Sequence, residues 1–159
     1  MAKIGIIGAG SWGIALSVLL HNNGHEITVW SILEDEINML KTEHEHKDKL
    51  PGVKLPEDMI FTTSLPEAIE GKDILVLAVP SPFTRSTSHN MKPYVADGQI
   101  IVNVAKGIEE HTLMTLSQII EEEVPQANVA VLSGPSHAEE VGRGIPTTIV
   151  VGAKTRETA

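Results

Sequence analysis

The sequence predicts a doubly wound α/β fold with a mainly parallel sheet in a single domain. Short β-branched apolar runs alternate with stretches of helical spacing, and the runs at 74–79 (ILVLAV) and 100–104 (IIVNV) are almost continuously apolar. Such runs are typical of strands that are buried on both faces of a parallel sheet. The chain has 159 residues, 42% of them hydrophobic, which is enough for one self-supporting core.

Seven strands are predicted from these runs. They cover residues 3–7, 26–30, 60–63, 74–79, 100–104, 129–132 and 148–151. Because segments of helical spacing separate several of them, the pattern is that of successive βαβ units.

Three helices are predicted between the strands. The first covers 11–22 and stops before Gly24, where glycine accepts a left-handed capping geometry. The second runs from 34 to about 42 and the third from 112 to 123. The residues expected to face the core are Ala15, Leu16, Leu19 and Leu20 in the first helix, Ile37 and Leu40 in the second, and Leu113, Leu116, Ile119 and Ile120 in the third.

Two polar segments are expected on the surface. Residues 44–58 form a charged connection punctuated by proline and glycine, and His44 and His46 within it are interpreted as solvated rather than metal-binding. The glutamates at 121–123 oppose the dipole at the end of the third helix, so they are interpreted as a solvated cluster.

Composition excludes several classes of function. With 12 basic and 21 acidic residues the formal net charge is -9, which disfavours nucleic acids and anionic membranes as partners. The absence of cysteine excludes disulfides, thiolate metal sites and a cysteine nucleophile. No apolar run reaches the length of a signal-peptide core or a membrane span, so we expect a cytoplasmic protein without a metal site.

A glycine-rich turn follows the first predicted strand. Gly8, Gly10 and Gly13 satisfy G-x-G-x-x-G between a strand and a helix, the context in which this motif indicates dinucleotide binding. Gly8 would allow the tight turn, Gly10 would let a pyrophosphate approach the backbone, and Gly13 would let helix and strand pack closely. A tight turn without a ligand is the alternative. The motif predicts a Rossmann-type domain that binds NAD or NADP.

The end of the second predicted strand lacks the acid that usually binds the ribose hydroxyls in NAD-selective domains. Ser31, Ile32 and Leu33 follow that strand, and Glu34 and Asp35 come next. The two acids are interpreted as first-turn helix residues that favour the dipole. Ile32 is expected to line the adenosine side. The choice between NAD and NADP stays open at this stage.

Three later strands are followed by distinctive segments. These are AVPSP at 78–82, NVAKGIE at 103–109, and LSGPSHAEEV at 132–141 with GIPT at 144–147. Open α/β sheets bind ligands at the carboxyl ends of their strands. In this order, and together with GAGSWG at 8–13, the segments resemble the bacterial NAD(P)-dependent glycerol-3-phosphate dehydrogenases over nearly the whole chain.

That resemblance implies reversible reduction of dihydroxyacetone phosphate to sn-glycerol 3-phosphate for phospholipid synthesis. It implies cofactor contacts at Ser11, Trp12, Lys106 and Ala138, and substrate contacts at Lys106, Gly134 and Ser136. A lysine would supply a fixed cation beside a phosphorylated carbonyl compound. From the residues alone, the favoured interpretation of Lys106 is a solvent-exposed lysine in the turn before Gly107.

The sequence departs from the family pattern at several positions. Ile14 replaces the usual threonine, and His137 replaces the usual phenylalanine and is interpreted as a partly buried aromatic substitute. His46 and Lys49 replace an asparagine and a tyrosine, so cofactor contacts from their connection are not carried over.

In the family that the chain resembles, the proton-transferring lysine belongs to a helical second domain. We therefore expect the catalytic residue to lie beyond Ala159 and this chain to bind a dinucleotide with little or no turnover. Because a helical domain would normally cover one side of the sheet, we expect an exposed apolar patch that causes homodimerisation or limited solubility. Two alternatives are another Rossmann dehydrogenase acting on hydroxyacids or nucleotide sugars, and a nonenzymatic dinucleotide sensor. The LSGPS and AKG segments argue against the first alternative.

Overall fold

The computed structural model describes all residues from Met1 to Ala159. Its elements in chain order are β1 (Lys3–Ile7), α1 (Ser11–Asn22), β2 (Glu26–Trp30), α2 (Glu34–Glu43), β3 (Ile60–Thr62), α3 (Leu65–Ile69), β4 (Ile74–Leu77), α4 (Thr84–Met91), β5 (Ile100–Asn103), α5 (Leu116–Glu123), β6 (Asn128–Ser133), α6 (Ala138–Gly142) and β7 (Val150–Ala153). Short 3-10 turns at Ser81–Phe83 and Lys92–Tyr94 flank α4.

The seven strands form one sheet in the order β3-β2-β1-β4-β5-β6-β7. The first six are parallel, and β7 is antiparallel to β6. The chain winds outward from β1 to one side and from β4 to the other. The gap between their carboxyl ends is therefore the switch point at which open α/β sheets bind ligands.

Apolar cores cover both faces of the sheet. Ile6 belongs to the core under α1 and α2, whereas its neighbour Ile7 belongs to the core under α4 and α5. Successive side chains of a strand point to opposite faces. Burial on both faces explains why the central strands are almost continuously apolar, and the predicted doubly wound fold is confirmed.

The third predicted helix begins later than expected. It starts at Leu116, because the Thr115 hydroxyl accepts from the Gln118 amide while the Gln118 side chain accepts from the Thr115 amide. Leu113 has a positive φ of 59° and is 76% exposed, so its predicted place in the core is wrong. Leu19 of α1 is likewise exposed, and Ile14 takes the buried position instead.

The last strand and the connection after α2 also depart from the prediction. The last strand covers Val150–Ala153 rather than 148–151 and lies antiparallel at the sheet edge. The long connection after α2 is confirmed, but it packs Leu50, Val53 and Leu55 into the core. No helix is long and apolar enough to cross a membrane.

Candidate functional site

The turn between β1 and α1 is built around its glycines. At Gly8, where φ is +119°, an added Cβ would lie 2.8 Å from the carbonyl carbon of Ala78. At Gly13 it would lie 2.1 Å from the Gly8 carbonyl oxygen. Around Gly10, by contrast, no atom lies within 4 Å of that position. Packing therefore explains two of the glycines, while the third borders open space.

The open space lies at the amino end of α1. This helix has 12 residues, and no side chain caps its first turn. The first amides of a helix lack intrahelical partners and carry the positive end of the helix dipole. An anionic group such as a pyrophosphate is the natural partner of such a helix end.

Two cavities meet at Gly10. The β2 cavity, of about 380 Å³, lies beside the end of β2, and the β5 cavity, of about 470 Å³, lies beside the end of β5. Their shared wall consists of Gly10 and the segment 78–80 after β4. Each is within the size range of small-molecule sites. A two-part ligand with a central anionic group fits this arrangement.

The β5 cavity brings four strand-end loops together. Each loop follows a different strand. Ser11 and Trp12 lie at the start of α1 after β1, Ser81 follows β4, Lys106 follows β5 and Ser136 follows β6. The remaining lining residues are Gly10, Ala78, Val79, Pro80, Val104, Ala105, His137, Ala138 and Glu139.

Lys106 is fixed at the mouth of this cavity. Its Nζ donates to the Gly134 carbonyl oxygen at 3.0 Å, and the Ser136 hydroxyl donates to the same oxygen at 3.4 Å. A Cβ added to Gly107 would lie 2.8 Å from Cβ of Ser81, so the Lys106 loop is pressed against the loop after β4. An exposed lysine is thereby held where it can meet an anionic ligand.

The β2 cavity contains a buried acid, Glu36. Its side chain is 8% exposed, and Oε1 accepts from His46 Nε2 at 2.8 Å and from Lys49 Nζ at 2.5 Å. Its Oε2 accepts from the Ser31 hydroxyl. Burial opposes ionisation, but the hydrogen bonds from His46, Lys49 and Ser31 outweigh it and hold the pKa of Glu36 below its ordinary value.

A second charge cluster surrounds Arg85 at the start of α4. Its guanidinium makes two hydrogen bonds to Glu109, at 2.7 and 2.8 Å, and reaches Glu122 at 2.7 Å and Glu123 at 2.8 Å. Arg85 and Thr112 donate to Glu109 and lower its pKa to about 2. The cluster ties the segment after β5 to α4 and α5.

This cluster corrects the interpretation of the glutamates at 121–123 as merely solvated. Glu122 and Glu123 bind Arg85, and Glu121 pairs with Lys154 at 2.8 Å. Favourable pairing with cations offsets their unfavourable position at the carboxyl end of α5.

The structure brings most of the predicted site residues to the two cavities. Ser11, Trp12, Lys106, Ser136 and Ala138 line the β5 cavity, Gly8 and Ile32 line the β2 cavity, and Gly10 lines both. Gly13 and Gly134 line neither. Gly13 packs against the turn, and Gly134 holds Lys106 through its carbonyl oxygen.

Sequence reasoning missed Glu36. Ile37 and Leu40 mark the inward face of α2, and position 36 falls on that face four residues before Leu40. An acid on an inward face is the signal that could have identified it. The solvated interpretation of His46 is also wrong, because this histidine is 2% exposed and bonded to Glu36.

The structure also places His137 and His44. His137 is exposed at the amino end of α6, so it is not a partly buried aromatic substitute. His44 packs edge-on against Phe61, with ring centroids 6.5 Å apart. No group of three or more His, Asp or Glu side chains is arranged to hold a metal ion.

The glycine turn, the uncapped helix end and the paired cavities at the switch point define a Rossmann-type dinucleotide-binding domain. Residues 3–159 match the family model described as NAD-dependent glycerol-3-phosphate dehydrogenase N-terminus. The chain belongs to this family.

Relatives with this domain agree in sequence and in fold. A glycerol-3-phosphate dehydrogenase (NAD(P)+) of Agathobacter rectalis is 65% identical over 159 residues, which are 100% of this chain and 47% of the relative. The crystal structure of glycerol-3-phosphate dehydrogenase from Coxiella burnetii has a TM-score of 0.92 at 29% identity, over 98% of this chain and 48% of that one. The chain thus spans about half the length of these relatives.

The fold extends to other dehydrogenases. A GDP-mannose dehydrogenase from Pseudomonas aeruginosa superposes with a TM-score of 0.79 at 14% identity, over 99% of this chain and 42% of that one. At this identity the likeness concerns the fold alone. The sequence match identifies the glycerol-3-phosphate dehydrogenase family rather than a dehydrogenase of hydroxyacids or nucleotide sugars.

Proposed function

We propose that the domain binds NAD or NADP across the two cavities, with the pyrophosphate at Gly10 and the first turn of α1. The observation that carries this proposal is the open space at Gly10, between two cavities and in front of an uncapped helix end. The β2 cavity would take the adenosine half and the β5 cavity the nicotinamide half. The bound cofactor would supply the hydride acceptor or donor.

We further propose that the domain forms the cofactor half of an enzyme that interconverts dihydroxyacetone phosphate and sn-glycerol 3-phosphate. The family and the names of the relatives support this reaction. Lys106 would offer its cation to the substrate phosphate or carbonyl oxygen, and Ser136 its hydroxyl. Gly134 would act through its carbonyl oxygen, which orients the Lys106 ammonium.

Proton transfer to the developing alkoxide needs an acid, and we propose that it comes from the half of the enzyme that these residues do not include. The 159 residues would then bind NADH but turn over dihydroxyacetone phosphate slowly. A steady-state assay that monitors NADH oxidation tests this, and turnover at the rate of a complete dehydrogenase would contradict it.

A matched pair of glycine substitutions tests dinucleotide binding. Gly10→Ala places a methyl group in the open space, and Gly152→Ala places one in equally open space on β7, outside both cavities. We expect the first to weaken NADH binding about tenfold to a hundredfold, because hydrogen bonds to a charged pyrophosphate are lost. Calorimetric titration should find Gly152→Ala unchanged, and equal affinities in both variants would contradict the proposal.

The finer expectations on partners and location remain proposals. We propose that the domain self-associates through the edge strand β7 and the segment before it, which expose the apolar residues Ile145, Ile149, Val150 and Val151 to between 38% and 68%. Sedimentation velocity should find a dimer whose population falls in Val150→Lys. A clean monomer at high protein concentration would contradict this. A cytoplasmic location stays a prediction.

A further inference from the structure

The wall of the β2 cavity holds a hydrogen-bond acceptor at the end of β2. Ser31 stands where NAD-selective domains usually place an acid that binds ribose hydroxyls. Its Oγ donates to Glu36 and accepts from the Leu33 amide at 3.2 Å. A hydroxyl oxygen has two lone pairs, so one acceptor position of Ser31 remains for a ligand.

Behind this hydroxyl lies the Glu36 carboxylate, which is paired with Lys49 and His46. Ser31, Glu36 and Lys49 line the same cavity as Gly8 and Gly10, and the lining contains no arginine. Lys49 is engaged with Glu36 at 2.5 Å, and His46 holds the carboxylate from a buried position outside the cavity lining. A ligand in this cavity therefore meets Lys49 already paired with Glu36, and no other basic side chain lines the cavity.

We propose that Ser31 and Glu36 together select NAD over NADP. The Ser31 hydroxyl accepts a hydrogen bond from the 2'-hydroxyl of the adenosine ribose. Glu36 disfavours a phosphate at that position because it pairs with Lys49 and offsets the charge of the only basic side chain in the cavity lining. Lys49 in turn reduces the discrimination, because it offsets the negative charge of Glu36. The inference rests on the proposed function, since it requires the adenosine half to lie in the β2 cavity.

Two substitutions in the 159-residue chain should change the selectivity in opposite directions. Glu36→Gln keeps the size and the acceptor oxygen but removes the charge, so NADPH should gain about tenfold in affinity relative to NADH. Lys49→Met removes the offsetting cation, so NADPH should lose affinity relative to NADH. The measurement is calorimetric titration with NADH and with NADPH, in which the unmodified chain should bind NADH more tightly.

The chain offers a matched control. Glu45 and Lys54 form an ion pair at 2.5 Å in the same connection, outside the β2 cavity. Glu45→Gln and Lys54→Met should leave the NADH to NADPH affinity ratio unchanged. If they shift the ratio as much as the cavity variants do, a general charge effect replaces the proposed one.

The other outcomes separate this inference from the proposed function. An unchanged ratio in Glu36→Gln, or tighter binding of NADPH than NADH by the unmodified chain, overturns the inference alone. If Glu36→Gln does not fold, the Lys49→Met variant tests the inference. An affinity of Lys49→Met for NADPH relative to NADH that is unchanged or raised then overturns the inference. If the folded, unmodified chain binds neither dinucleotide, the proposed function itself is overturned.

Discussion

The Glu36 and Arg85 clusters have opposite compositions and different degrees of burial. Glu36 is one acid that accepts from two basic side chains and a hydroxyl, and its side chain is 8% exposed. Arg85 is one cation that binds three carboxylates, and its side chain is 29% exposed. The first forms part of a cavity wall, whereas the second ties surface segments together.

This comparison indicates that burial, rather than the number of ion pairs, decides how much a charge cluster contributes to stability. A buried charge that loses its partners is strongly destabilising, because water cannot replace them. Partly exposed pairs are screened by solvent and salt, and each contributes little on its own. We therefore expect Glu36 to govern local stability and Arg85 to govern the acid and salt sensitivity of the domain.

The largest effect should come from removing Glu36. Glu36→Ala leaves His46 buried and Lys49 without its partner, so the free energy of unfolding should fall by about 3 kcal/mol. Urea denaturation at neutral pH measures this loss. Glu45→Ala breaks a more solvent-exposed pair and serves as the control. Equal losses in the two variants would mean that burial is not the deciding factor.

A smaller effect, seen in how stability depends on pH, should come from removing Arg85. Contacts with Arg85 lower the pKa of Glu109 from its usual 4.5 to about 2. Below pH 4.5 the unfolded chain binds protons that folded Glu109 does not, so this stabilisation is complete above pH 4.5 and is lost as the pH falls toward 2.

In Arg85→Met the pKa of Glu109 should return toward its usual value, and the melting temperature should depend less steeply on pH in this range. Thermal unfolding followed by circular dichroism at pH 2 to 5 compares the two slopes. Identical slopes in the variant and the unmodified chain would argue against a role of Arg85 in acid stability.

The smallest effect should be the response to salt. At about 1 M KCl the screening length falls to about 3 Å, which weakens exposed ion pairs more than buried ones. The difference in melting temperature between the unmodified chain and Arg85→Met should shrink, while the difference for Glu36→Ala should persist. If both differences shrink together, the two clusters are equally exposed to solvent in solution.

Much of the candidate site could be predicted from the sequence because its parts are local. The glycine spacing at 8–13 specifies a turn whose geometry depends on neighbours in the chain. The segments that contain Lys106 and Ser136 directly follow or end strands, and parallel strands bring their carboxyl ends to one edge. In the structure, residues of these loops line the β5 cavity together.

The features that escaped prediction depend on contacts distant in sequence. Glu36 and Lys49 are 13 residues apart, and Arg85 and Glu123 are 38 apart. Spacing along the chain carries no sign of such pairs. The spacing of Leu113 suits a helix, but the Thr115 cap makes α5 begin at Leu116, three residues further along the chain.

Apolar periodicity and turn chemistry are encoded in neighbouring residues. The doubly wound fold, the position of the glycine turn and the family could therefore be predicted from the sequence alone. The tertiary structure was needed to show that a buried carboxylate borders the β2 cavity and that Lys106 donates a hydrogen bond to Gly134. Both depend on how separate loops pack at the sheet edge. Packing of this kind brings together charges whose partners the linear order does not specify.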